Sequence, residues 1–182
     1  MAGVERLLLN YEKFVRLPWE TGLAGPQKVW FAVYTPSDER RLRARLGAFE
    51  NATVQAGHGW RHFDLTDLFA RWMAAQEYRE TYFQTPEDIE MAFEDFVHDV
   101  VEAVRTVLDS PDVDANTVAA VSGVASLFGL MRVSRLVDSV ASYVRGRLLV
   151  FFPGERDVAN YRLLDARDGW NYLAIPITAQ EG

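Results

Sequence analysis

The chain has 182 residues, 49% of them apolar and 25% charged, with no cysteine and a formal net charge of −7. That is enough apolar content to bury one domain's core and too much for a disordered chain. Lack of cysteine excludes disulfides, thiol nucleophiles and Cys-ligated zinc. The acidic balance disfavours non-specific phosphate binding, and no apolar run nears the ~20 residues of a spanning helix.

Residues 4–14 place Val4, Leu7, Leu8, Tyr11 and Phe14 at helical spacing, closed by Pro18. They lack the basic start, long apolar stretch and cleavage site of a secretory leader, so a cytoplasmic protein with no membrane contact is expected. Residues 28–34, KVWFAVY, read as a strand, and Thr35-Pro36-Ser37-Asp38-Glu39 opens a helix to about Phe49. A second strand is expected at 61–65, then a helix capped by Asp64 or Thr66 with Leu65, Leu68, Phe69, Trp72 and Met73 on its apolar face.

Thr85-Pro86-Glu87-Asp88 predicts the start of a long helix burying Ile89, Phe93, Phe96, Val97, Val100, Val104 and Leu108, ended by Ser110-Pro111. Residues 117–121 read as a short apolar strand, 133–144 as an amphipathic helix, and 147–152 as another strand. Apolar strands alternating with helices predict one α/β domain over 1–182. Its mainly parallel sheet is flanked by helices in a P-loop-like or Rossmann-like three-layer arrangement, and the closely spaced last strands add an antiparallel edge.

In such sheets ligands bind beyond the carboxyl ends of the strands, where the loops supply Thr35, Ser37, Asp38, Ser122, Ser126, Glu155 and Arg156. A Walker A motif is excluded, because the only lysines, Lys13 and Lys28, are followed by Phe14 and Val29. Around Ser122 the G-x-S-x-G pattern of a nucleophile turn is missing. His58 and His62 lie four apart, but in a Gly-rich segment with no third ligand evident, so no metal is expected. Glu94 and His98 are read as a surface pair one helical turn apart.

Charge is uneven: residues 86–116 carry ten acids against Arg105 alone, which predicts either a solvated helix face or a negative face for a basic partner. The one dense basic cluster is Arg40, Arg41, Arg43 and Arg45, interleaved with acids; a solvated face is favoured over phosphate contact. In 148–177, Asp168-Gly169 signals a turn between two strands, with Arg162 or Arg167 expected to pair with Asp165 or Asp168.

That closing block, with VFFPG at 150–154 followed by YRLLDARDGWNYLAIPI at 161–177, resembles the BrxB family of bacterial BREX (bacteriophage exclusion) defence systems. The similarity is looser over the preceding helix and over VWFAVYTP at 29–36. The resemblance implies a role in anti-phage defence, with no assigned catalysis, no cofactor, and the alkaline-phosphatase-like PglZ protein as partner. The expectation is a non-catalytic adaptor, with a homodimer left open. The alternatives are a ligand- or nucleotide-using enzyme at the strand ends and a DNA-contacting accessory subunit. Candidate partner-binding residues are Arg40, Arg41, Arg45, Phe152, Arg162, Arg167, Trp170 and Tyr172, since Arg and aromatic side chains dominate interface hot spots.

Overall fold

A strand with a continuous apolar run needs cover on both faces, and three segments of this chain contain one. In a computed structural model, which describes residues 3–157, 160–164 and 170–180, they are β1 (Val29–Tyr34), β3 (Thr117–Ser122) and the first half of β4 (Arg147–Asp157). Every residue of β1 and β3 is buried, as are 147–154 of β4. Together with β2 (Gly59–Asp64) and β7 (Ile175–Ile177) they form a parallel sheet in the order β2-β3-β4-β1-β7.

Even-numbered residues of β1 face one core with α1 (Gly3–Val15) and α2 (Glu39–Gln55), where Phe49 packs edge-on to Phe151. Odd-numbered residues face a second core with α3 (Leu68–Ala75), α5 (Phe93–Leu108) and α6 (Val133–Val140). The chain runs one way across the sheet over the first face, from β1 through α2 to β2. It returns over the other face, from β2 to β3 to β4. Both movements therefore have the same hand, as twisted βαβ units require. The three-layer α/β architecture expected from the sequence is present.

The antiparallel part is a hairpin beyond the layered body. β5 (Asn160–Leu163) pairs with the second half of β4, and β6 (Trp170–Asn171) pairs with β5. Gly154 makes this possible, since a Cβ there would meet the Arg162 carbonyl oxygen at 2.0 Å. The chain then comes back to lay β7 parallel to β1, with Pro176 opposite Phe31. A proline suits this edge because it offers no N–H to a further strand.

Several boundaries differ from the sequence reading. Helix α2 continues to Gln55, beyond Phe49. Residues 86–92 form a 3-10 helix, and α5 begins only at Phe93. Over 86–92 only Ile89 and Ala92 pack on the core, and only partly buried, whereas packing rather than propensity supplies most helical stability. Likewise α6 stops at Val140 and passes into a 3-10 turn over Ala141–Tyr143. A short helix, α4 (Arg79–Gln84), was not anticipated. Among the described residues no helix is long and apolar enough to cross a membrane.

Candidate functional site

At the carboxyl end of the sheet, β1 stops while β4 runs on into its hairpin, and a cleft of about 380 Å³ opens between them. Thr35, Asp38, Glu155 and Arg156 line it together, with Thr178 opposite. Four of the seven strand-end residues singled out from the sequence thus converge. Asp38 is partly committed, with its Oδ1 3.0 Å from the Arg41 guanidinium. The lining is mixed in charge, with hydroxyl, carboxylate and guanidinium groups that can hold a polar ligand.

Ser122 and Ser126 lie elsewhere. The Ser126 hydroxyl donates to the Gly123 carbonyl at 2.6 Å, closing the turn after β3. Ser122 is only 2% exposed, and its Oγ lies 2.8 Å from His62 Nε2. No local pattern signals this contact, because the two residues meet only through the parallel pairing of β2 with β3. Burial lowers the His62 pKa, with the Asp64 charge opposing. A hydroxyl closed off from solvent at a strand end is a satisfied core group rather than an exposed nucleophile.

Beside it, Arg43 of α2 ties three elements together. Its guanidinium donates to Glu39 at 2.8 Å, Asp64 at 3.1 Å and Thr66 at 2.6 Å, and the Tyr34 hydroxyl donates to the other Glu39 oxygen. Burial alone would raise the Asp64 pKa, but the Thr66 hydroxyl and backbone N–H, with Arg43, pull it below the usual carboxylate range. Tyr34 is raised by burial and then by Glu39. Gly123 closes the cluster: its φ is +77°, and a Cβ there would meet Asp64 Oδ1 and Thr66 Oγ1 at 2.5 Å. Asp64 makes an Asx-type turn with Thr66 and does not cap α3, which begins at Leu68.

The arginine cluster of α2 is largely paired within the protein: Arg41 with Asp38, Arg43 with Glu39 and Asp64, and Arg45 with Glu5 at 2.7 Å. Arg40 is exposed and has no partner among the described residues. Of the closing-block candidates, Phe152 is fully buried, stacked on Phe31 at 5.3 Å, so it belongs to the core and not to a contact surface. Arg162 is exposed on β5, in register with Glu155. Tyr172 is half-buried against Phe31, where burial and the Asp138 carboxylate push its phenol up to about 12. Trp170 takes part in β6 opposite Tyr161. Arg167 and the turn at Asp168-Gly169, with the pairing expected of Asp165 or Asp168, lie outside the described residues.

One pairing differs from expectation. Glu94 does not join His98; it makes a two-pronged contact with Arg135 at 2.9 and 2.7 Å, because a guanidinium fork matches both carboxylate oxygens. His58 stacks on Trp19 at 3.7 Å, while His62 stands four residues up a strand, ~13 Å away at the strand rise. No group of three potential metal ligands occurs among the described residues.

Three of the four most exposed large apolar side chains among the described residues lie between α3 and α5, the fourth being Leu173 at 77%. No residue from 73 to 95 is buried, and Tyr78, Phe83 and Met91 are 64%, 67% and 85% exposed. Residues 76–99 also carry eight acids against Arg79 alone. Sequence reasoning caught the acidic excess but not the exposed apolar chains; their spacings of five and eight residues, which put them on no common helix face, were the available signal. Compared with models of protein families, with curated proteins and with solved structures, the chain has no match.

Proposed function

We propose that this protein is a non-catalytic adaptor in a bacterial anti-phage system of the BREX kind, holding another defence protein such as the PglZ-like phosphatase-fold component. The observation that carries the adaptor reading is the acidic segment 76–92, which presents Tyr78, Phe83 and Met91 to solvent without burying any residue. Exposed aromatic and methionine side chains amid one sign of charge suit a partner with a basic rim and an apolar centre. The defence assignment itself is supported by the BrxB-like residues at 148–177. In this reading the protein is cytoplasmic, with homodimers as a further assembly.

The cleft between β1 and β4 favours a second reading, a ligand- or nucleotide-using enzyme at the strand ends. A thermal shift with ATP, GTP or a divalent metal separates it from the first. Direct DNA contact is the weakest of the three, because three of the four α2 arginines are neutralised by neighbouring carboxylates. The test of the adaptor reading is co-purification of the PglZ-like protein with tagged wild-type chain and with a Tyr78→Ser, Phe83→Ser, Met91→Ser variant. Capture by the first and loss with the second is expected; equal capture by both, or by neither, overturns the assignment of this surface.

A further inference from the structure

Arg147 opens β4 at the amino-terminal end of the sheet and is 6% exposed. A guanidinium taken out of water needs a counter-charge or a full set of acceptors. Here it has only two acceptors, the carbonyl oxygens of Gly146 and Glu20, each at 3.0 Å. Three of its five N–H bonds therefore have no partner among the described residues. The Glu20 side chain is exposed; its carboxylate acts on Arg147 from a distance, opposing the effect of burial, without forming a contact ion pair among the described residues. The guanidinium lies instead 4.7 Å from the Trp19 ring centre and 5.8 Å from that of Trp30, contacts that attract a cation without neutralising it.

A second orphan stands beside it. The Trp19 indole nitrogen is buried with no hydrogen-bond partner among the described residues. Its ring is held by stacking on His58 and by an edge contact with Trp30 at 5.6 Å. Both groups line one open cleft of about 370 Å³, walled otherwise by Phe14, Leu23 and Ile175. That volume and mostly apolar lining, with a few polar groups, is the ordinary make-up of a small-molecule site.

We propose that this cleft binds a small aromatic carboxylate, its carboxylate on Arg147 and its flat body against Trp19 and Trp30. A single planar guanidinium matches a carboxylate by two parallel hydrogen bonds. A doubly charged phosphate would call for further cations, whereas the lining adds to Arg147 only the Glu20 carboxylate, which disfavours a second negative charge on the ligand. The site lies at the opposite end of the strands from the β1/β4 cleft and is independent of the adaptor surface.

The test is a titration of ¹⁵N-labelled protein with phenylacetate, followed at the Trp19 indole N–H resonance, which is assigned by its loss in Trp19→Phe. The resonance is expected to shift saturably in the millimolar range normal for so small a ligand, and phenylacetamide is expected to leave it in place. Arg147→Met should weaken binding by about ten-fold or more, the loss of a charge-assisted contact. Because Arg147 also ties Gly146 and Glu20, Trp19→Phe provides a milder check: phenylacetate shifts at the Trp30 indole should need several-fold more ligand. An unmoved Trp19 resonance, or equal binding of phenylacetamide, would overturn the proposal.

Discussion

Helix α5 and the segment just before it, residues 76–92, are both acidic and both rich in large apolar side chains, yet they meet opposite fates. Helix α5 buries Phe96, Val97, Val100, Val104 and Leu108, whose steps of one, three and four residues keep them on one face. The preceding segment has no fully buried residue: Ile89 and Ala92 only partly cover the core, while Tyr78, Phe83 and Met91, at steps of five and eight residues that match no helical face, stay in solvent. Apolar content alone therefore does not decide what enters the core. Spacing against the helical repeat does, and what it leaves outside becomes available to a partner.

The comparison can be broken most forcefully from the buried side. Phe96→Ala should lower the unfolding free energy by about 3–5 kcal/mol in urea titrations, as removal of a wholly buried ring does. Next in size is Gly123→Ala, which sets a Cβ against Asp64 and Thr66 at a left-handed backbone position and should cost about 1–3 kcal/mol by the same assay.

Asp64 gives a smaller, pH-dependent effect. Its folded pKa lies below its unfolded value, so its stabilising contribution is present above the unfolded carboxylate pKa of about 4 and fades as pH falls through the folded value. Wild type should exceed Asp64→Asn in stability at pH 7, and the gap should shrink toward pH 3. The smallest effect is expected in the exposed segment: each of Tyr78→Ser, Phe83→Ser and Met91→Ser should change stability by no more than about 0.5 kcal/mol. A larger loss would mean the segment belongs to the folded body.

What could be read from the sequence followed the same division. Segments with one strong period, such as residues 4–14, 29–34 and 96–108, were identified with their cores, because burial and periodicity agree there. The 3-10 stretch 86–92 differs from the helix its sequence predicts: Thr85-Pro86 is a sound start signal, but of the turns that follow only Ile89 and Ala92 pack, partly buried, on the core. The β1/β4 cleft was foreshadowed by the rule that ligands sit beyond strand ends, which named four of its lining residues. Contacts made by strand register, such as Ser122 with His62, and the cleft that joins Trp19 to Arg147 across 128 positions, leave no local trace in sequence. Phe152 was ambiguous because an aromatic in an apolar strand suits a core and an interface equally.

The most direct test of the adaptor account is hydrogen exchange on the purified protein with and without the PglZ-like component. The account predicts that amides within 76–92, exposed and fast in the free protein, become protected in the complex while those of α5 and the inner strands change little. Protection confined to other surfaces, or none at all with the partner in excess, would contradict it.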